Sequence, residues 1–173
     1  MSNIVINFYG GPGTGKSTMA ARIFSELKMK DYNCELITEY AKKKVWEQSY
    51  KTLENQIYVF AKQQFSMWTV SHHVEFMITD SPLILGNVYG GSNTLHQLVK
   101  ETFESYTNIN IFLHRTKKYN PYGRMQNESE AKEFDKVIKK LLDSYGYKYS
   151  EFEGNIEAVP AIINHILLRL GTL

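Results

Sequence analysis

Short apolar runs alternate with longer amphipathic stretches along the whole chain. The apolar runs end at turn signals or polar residues, which is typical of buried strands. The amphipathic stretches repeat their apolar residues at helical spacing. We predict strands at 3–9, 35–38, 74–79, 110–114 and 148–152, and helices around 19–27 and at 52–73, 95–106, 128–145 and 159–170.

Two of the predicted helices carry more detailed expectations. Asn127 is predicted to cap the helix at 128–145, with Glu130 three residues further on. On the long helix at 52–73, one apolar stripe is predicted to face the core. Its members are Leu53, Ile57, Phe60, Ala61, Phe65 and Trp68.

The composition is that of an ordinary globular domain. The chain has 173 residues, of which 43% are hydrophobic and 22% charged, enough for one packed core. A net charge of +2 does not mark a nucleic-acid-binding protein. The single cysteine, Cys34, excludes an internal disulfide framework. Since neither a membrane-length apolar run nor a signal peptide is recognisable, we expect a cytoplasmic protein without a membrane partner.

Residues 10–17, with the sequence GGPGTGKS, match the phosphate-binding pattern G-x-x-x-x-G-K-[ST]. The glycines let backbone N–H groups converge on phosphate oxygens, and the following helix directs its positive end to the same point. Lys16 is predicted to bridge the β- and γ-phosphates of ATP, and Ser17 to coordinate Mg²⁺. The predicted ATP-binding residues are Gly11, Gly13, Thr14, Gly15, Lys16, Ser17 and Thr18.

Four stretches of the sequence resemble the P-loop kinases. They are GGPGTGKST at 10–18, ITEYAKK at 37–43, ITDSPLILG at 78–86 and HRTKKYNPYGRMQ at 114–126. More narrowly, the chain looks like the small nucleoside- and nucleotide-kinase-like ATP-binding proteins often carried by bacteriophages, and like the kinase domain of nicotinamide-riboside kinases. The predicted architecture is therefore a single α/β domain over 1–173 with a P-loop NTPase fold. We expect a five-stranded parallel sheet in the order 2-3-1-4-5, helices on both faces and a lid after the fourth strand.

Two carboxylates follow predicted strands at the sheet edge where parallel sheets bind ligands. Asp80 ends the third strand and is predicted to hold Mg²⁺ together with Ser17. Glu39 follows the second strand, and in the resembling kinases a carboxylate in this region accepts the proton of the attacking hydroxyl. Glu39 is the candidate base, and an exchange of roles with Asp80 stays open.

The segment after the fourth strand is basic, with four cations and no acid between residues 115 and 126. In the resembling kinases this segment is a lid whose arginines neutralise charge on the transferring phosphoryl group. We therefore predict a lid at about 115–130, in which Arg115 and Arg124 act on the phosphoryl group. A solvated basic loop is the alternative.

The absence of arginine between residues 31 and 114 points to the kind of acceptor. Enzymes that phosphorylate a nucleoside monophosphate usually clamp its phosphate with arginines in this region, so we expect a hydroxyl acceptor. Aromatic side chains and glutamines would stack on and read a nucleobase-like acceptor, although core packing also explains them. These residues are Tyr40, Trp46, Tyr50, Gln56, Tyr58, Gln63 and Gln64.

The sequence predicts an ATP- and Mg²⁺-dependent kinase that phosphorylates a hydroxyl of a nucleoside-, nucleotide- or ribosyl-like acceptor. Two alternatives stay open. One is a kinase of hydroxymethylated pyrimidine in phage DNA, which would make nucleic acid a partner and is disfavoured by the near-neutral charge. The other is a P-loop ATPase or regulatory module without kinase activity.

Overall fold

The fold is organised around a parallel sheet. The structure, a computed structural model, describes residues 4–116, 118–120 and 127–171. The strands are β1 (Ile4–Tyr9), β2 (Cys34–Ile37), β3 (Phe76–Thr79), β4 (Thr107–His114) and β5 (Ser150–Glu153). Their order across the sheet is β2-β3-β1-β4-β5, and every neighbouring pair is parallel. The predicted fold class and strand order are confirmed.

Helices cover both faces of this sheet. They are α1 (Lys16–Lys28), α2 (Tyr40–Trp46), α3 (Tyr50–Glu54), α4 (Gln56–Ser71), α5 (Asn93–Glu104), α6 (Glu128–Ser144) and α7 (Val159–Leu170). Helices α1 and α7 pack on the face that carries Ile6 and Phe8, whereas α4, α5 and α6 pack on the face that carries Val5 and Tyr9. Alternate side chains of β1 therefore enter two separate cores, and the strand is buried on both sides.

The helix predicted at 52–73 is two helices. The break lies at Asn55, whose backbone (φ −86°, ψ 83°) is not helical and whose side chain accepts the N–H of Tyr58. An asparagine that caps one helix cannot continue the previous one, because capping requires a non-helical backbone. A further helix, α2, precedes this pair.

The apolar stripe predicted to face the core from this region is wrong for four of its members. Ile57, Ala61, Phe65 and Trp68 are exposed, and Phe65 retains 57% of its accessible surface. The side that packs on the sheet instead contains Gln63 and Met67. Apolar residues occur on both sides of α4, so helical spacing alone could not indicate the buried side.

Strand β4 begins three residues earlier than predicted, at Thr107. The first half of the strand contains Asn108 and Asn110, and these polar residues interrupt the apolar run by which a buried strand is recognised. Both side chains accept hydrogen bonds from Nδ2 of Asn7 on β1, at 2.8 Å and 3.2 Å. Hydrogen bonds to a neighbouring strand thus satisfy these polar side chains inside the sheet, which the local sequence does not indicate.

The N-terminus of α6 forms as the sequence predicts. Asn127 accepts the N–H of Glu130 at 2.9 Å, and the Glu130 carboxylate accepts the N–H of Asn127 at 2.7 Å. This reciprocal capping box satisfies two backbone donors at the helix start.

None of the helices described here is both long enough and apolar enough to span a membrane.

Candidate functional site

The predicted site residues follow four neighbouring strands at the same edge of the sheet. Thr79 at the end of β3 pairs with Asn7 of β1 and with Ile37 of β2. The glycine-rich loop after β1, Asp80 after β3 and Glu39 after β2 consequently emerge side by side. Residues after β4 join them, since Tyr9 pairs with Phe112.

The glycine-rich loop has the geometry of an anion-binding nest. Gly13 (φ +83°) and Gly15 (φ +99°) adopt left-handed backbone conformations that other residues rarely tolerate. Helix α1 begins directly after Gly15, and no described side chain caps its first turn. The N–H groups at its start, together with its positive dipole end, therefore face the loop's ligand side.

Two of the predicted ATP-binding residues, Gly11 and Thr14, use their backbone N–H groups in hydrogen bonds within the protein. The N–H of Gly11 donates to the carboxylate of Asp135 on α6. The N–H of Thr14 donates to the carbonyl oxygen of Gly11 at 3.3 Å, and its hydroxyl donates to the same oxygen at 3.0 Å. Of the other predicted ATP-binding residues, those closest to the start of α1 are Gly15 and the residues of its first turn.

Lys16 lies at the centre of the convergent charges. Its Nζ donates to the carbonyl oxygens of Gly10 at 2.6 Å and Gly11 at 3.1 Å. Burial lowers the pKa of Lys16, and the charge of Arg115 acts in the same direction. The nearby carboxylates of Glu39, Asp80 and Asp135 act in the opposite direction. The structure thus brings three of the predicted catalytic residues, Glu39, Asp80 and Arg115, close to this lysine.

Asp80 and Ser17 fit a magnesium site. Asp80 is only 3% exposed, and its Oδ1 is buried without a hydrogen-bond partner among the described residues. A buried carboxylate oxygen without a partner suits a hard cation, and Ser17 presents a hydroxyl in the first turn of α1. Mg²⁺ held there would neutralise phosphate charge. The described residues contain no cluster of three or more His, Cys, Asp or Glu side chains suited to a metal.

The surroundings of Glu39 raise the pKa of its carboxyl group. It is half-buried at the N-cap of α2. Burial raises the pKa of Glu39, and the charge of Asp80 raises it further, while Lys16 and Lys42 oppose the shift. A carboxylate with a raised pKa at the edge of a phosphate site is a suitable proton acceptor.

Arg115 follows β4, and its side chain contacts the glycine-rich loop. Its guanidinium donates from Nη1 to the carbonyl oxygen of Pro12 at 2.6 Å and pairs through Nη2 with Asp135 at 3.1 Å. Arg124 lies outside the described residues, as do residues 117 and 121–126 of the predicted lid. Of the two predicted arginines, the structure therefore places one.

A cavity of about 640 Å³ extends from the glycine-rich loop between α2, α3, α4 and α6. Its volume is that of a small-molecule site. Tyr89 and Phe134 form one aromatic wall with ring centroids 5.4 Å apart. Burial, then the charge of Glu39, raises the pKa of Tyr89 well above its ordinary value. Among the described residues, the charged lining consists of Lys16, Glu39, Lys42, Glu54 and Asp80, and the other aromatic lining residues are Trp46, Tyr50 and Phe60.

The two glutamines that line this cavity use their amides within the protein. Gln63 accepts the N–H of Tyr40 at 2.9 Å and donates to the carbonyl oxygen of Thr38 at 3.4 Å. These bonds fix the chain on either side of Glu39. Gln56 donates to the carbonyl oxygen of Leu53 at 2.6 Å. The amide of Gln63 thus supports the candidate base.

Asp135, Tyr89 and Phe134 belong to the site but are not singled out by the sequence motifs. One signal was present for Asp135. It lies four residues after Ala131, on the side of the 128–145 helix that the apolar pattern turns inward, where an acid needs a partner. Nothing comparable marks Tyr89, because a lone tyrosine in a turn has many structural uses.

The sheet order, the nest and the half-buried lysine together define a P-loop nucleotide-binding domain. Within this class, the model of the AAA domain family matches residues 5–158, and the chain belongs to that family.

Solved structures of deoxyadenosine kinase from M. mycoides share this fold. The structure with dCMP and a flexible dCDP bound is 19% identical over 98% of this chain and 100% of that chain, with a TM-score of 0.56. The structure with bound dATP is 14% identical over 94% and 99%, also with a TM-score of 0.56. No curated protein matches the sequence.

Proposed function

We propose that the protein is an ATP- and Mg²⁺-dependent kinase that transfers the γ-phosphoryl group to a hydroxyl of a nucleoside-, nucleotide- or ribosyl-like acceptor. One observation carries this proposal. Lys16 is within electrostatic reach of Glu39, Asp80 and Arg115, on the wall of a cavity that continues beyond the phosphate loop. Phosphoryl transfer needs positioning, neutralised charge and a proton acceptor, and these residues are of the required types.

Each residue has a proposed role in the transfer. Lys16 neutralises the β- and γ-phosphates, and Ser17 and Asp80 hold the cation. Glu39 accepts the proton of the attacking hydroxyl, and Arg115 neutralises the phosphoryl group as it moves. Arg124 remains a predicted second arginine. The deoxyadenosine kinase structures support the reaction class through their shared fold.

The charges of the cavity support a hydroxyl acceptor. Beyond Lys16, its described lining offers one cation, Lys42, against the carboxylates of Glu39 and Glu54. A phosphate as the accepting group would meet net repulsion there, whereas an uncharged part of the acceptor would contact the aromatic walls. The likeness to phage-carried proteins and to nicotinamide-riboside kinases stays a prediction from the motifs.

The decisive experiment incubates the protein with ATP and Mg²⁺ and a panel of acceptors, and reads the added phosphoryl mass. The panel contains nucleosides, other ribosides, nucleoside monophosphates and an oligonucleotide with hydroxymethylated pyrimidine. We expect phosphorylation of at least one free nucleoside or riboside on a hydroxyl. Release of free phosphate with every acceptor, transfer to the phosphate of a monophosphate, or labelling of the oligonucleotide alone would contradict the proposal.

A further inference from the structure

Asp135 connects two parts of the site that come from distant parts of the sequence. It lies in the second turn of α6, and one carboxylate oxygen accepts the N–H of Gly11 in the glycine-rich loop. The other oxygen accepts from Nη2 of Arg115 at 3.1 Å. Both oxygens are thus used on elements whose proposed function is to bind phosphate.

Helix α6 approaches the loop at backbone distance. A Cβ atom added to Gly11 would lie 2.4 Å from the carbonyl oxygen of Ala131 and 2.8 Å from Oδ1 of Asp135. The same carbonyl oxygen accepts from Nη2 of Arg115 at 3.3 Å. A side chain at position 11 would push the helix away, so this glycine allows the carboxylate to reach the loop.

Arg115 is held by these contacts in one orientation. Its side chain is 10% exposed, and Nη1 donates to the carbonyl oxygen of Pro12 at 2.6 Å. The same atom would lie 3.0 Å from a Cβ atom on Gly13, so this end of the guanidinium packs closely against the loop. A guanidinium this deeply buried needs a carboxylate partner, because removal of the partner leaves an uncompensated charge.

We propose that Asp135 is a positioning residue that acts through Arg115, holding its guanidinium against the phosphate-binding loop. This inference rests on the proposed function, because it assigns Arg115 to the phosphoryl group. The carboxylate also fixes the first turn of the loop through Gly11, so that one side chain aligns the cation and the nest. Asp135 itself accepts no proton and touches no substrate in this account.

A double-mutant cycle between Asp135→Asn and Arg115→Gln tests the proposal. Asparagine keeps the shape of the side chain and an acceptor for Gly11, but removes the charge that pairs with Arg115. We expect Asp135→Asn alone to lower kcat about 10- to 100-fold, with the acceptor KM changed less than about 3-fold. In the Arg115→Gln background the same substitution should change kcat less than about 3-fold. Asp135→Glu, which keeps the charge, should recover part of the lost rate.

The matched control is Asp143→Asn, two turns further along α6. Its carboxylate is exposed and accepts from the hydroxyl of Tyr149 at 3.3 Å, away from the loop. We expect its kcat within about 2-fold of the starting protein. Thermal unfolding of all variants, followed by assays below the lowest Tm, keeps loss of structure separate from loss of alignment.

The proposal is overturned if Asp135→Asn leaves kcat unchanged, or if its effect is as large without Arg115 as with it. The same cycle run on the ATP dissociation constant by calorimetry keeps the test independent of the acceptor. There, Asp135→Asn should weaken ATP binding more than ADP binding, and only when Arg115 is present. If no acceptor is phosphorylated but this binding cycle shows coupling, the proposed reaction fails and the role of Asp135 stands.

Discussion

At the scale of single residues, Glu39 stores unfavourable electrostatic free energy in the folded protein. Its pKa is raised mainly by burial, so the ionised carboxylate is less stable in the folded state than in the unfolded state. For an acid with a raised folded-state pKa, the stability of the protein is greatest below the unfolded pKa and falls as the pH rises through the folded pKa.

We therefore expect Glu39→Gln to raise the Tm at pH 7, by about 2–4 °C for each kcal/mol recovered. The difference from the starting protein should shrink as the pH falls below about 4, where the carboxyl is protonated in both states. Scanning calorimetry across this pH range measures it. A Tm that falls at pH 7, or a difference that grows on acidification, would show that the charge of Glu39 stabilises the fold.

The same substitution separates stability from catalysis. If Glu39 accepts the proton of the acceptor hydroxyl, Glu39→Gln should lower kcat about 10²- to 10⁴-fold. In the starting protein, kcat/KM should fall on the acid side as the pH drops through the raised pKa of this carboxyl, and that limb should disappear in the variant. An unchanged acid limb in Glu39→Gln would assign the proton to another group, with Asp80 the first to examine.

The phosphate loop could be predicted from the sequence because its geometry is local. Glycines at fixed spacing, a lysine and a serine specify the turn without help from distant residues. The contact between Gly11 and Asp135 could not be predicted, because it joins residues 124 positions apart. The placement of Glu39 and Asp80 is intermediate, since it requires only that both strands be parallel and adjacent to β1.

At the scale of elements, α4 shows which part of a helix pattern can mislead. Its apolar residues on two sides made the buried face ambiguous, and the exposed side carries a stacked pair, Phe65 and Trp68, with centroids 5.9 Å apart. The helix itself was predictable, but its rotation about its own axis is set by the neighbours on the sheet. Asn55 caps α4 and so separates it from α3, and the spacing of apolar residues gives no sign of this cap.

Two substitutions on this helix should differ sharply in their effect on stability. Met67→Ala removes a fully buried side chain and should cost about 2–5 kcal/mol of unfolding free energy. Phe65→Ser, half a turn away, removes an exposed ring and should change it by less than about 1 kcal/mol. Urea unfolding of both variants provides the comparison, and a reversed order would mean that α4 turns its other side to the sheet.

At the scale of the whole molecule, alternation of strands and helices predicted a parallel sheet, and the resemblance to P-loop kinases predicted its strand order. The cavity beside the glycine-rich loop could not be predicted from the sequence. Its walls come from α2, α3, α4, α6 and the turn at Tyr89, and no local pattern links these elements. Only their packing around the sheet edge brings the aromatic residues to the same cavity as the glycine-rich loop. The proposed cation site likewise depends on tertiary structure, because Asp80 and Ser17 are distant in sequence and line the same cavity.

Removal of Mg²⁺ tests that placement. Chelation with EDTA should abolish transfer, and added Mg²⁺ should restore it. Asp80→Asn should raise the Mg²⁺ concentration needed for half-maximal rate by about tenfold or more, since one charged oxygen ligand is lost. A rate that is independent of Mg²⁺, or an unchanged Mg²⁺ requirement in the variant, would remove Asp80 from the cation site.

The central claim is that residues 10–17 bind the triphosphate of ATP, and calorimetric titration with ATP and Mg²⁺ tests it most directly. We expect saturable binding of ATP, at least tenfold weaker binding in Lys16→Ala, and unchanged binding in Lys30→Ala, an exposed lysine outside the cavity lining. Adenosine, which lacks phosphates, should bind far more weakly than ATP. The claim is contradicted if ATP gives no binding heat at any temperature tested, or if Lys16→Ala binds ATP as tightly as the starting protein.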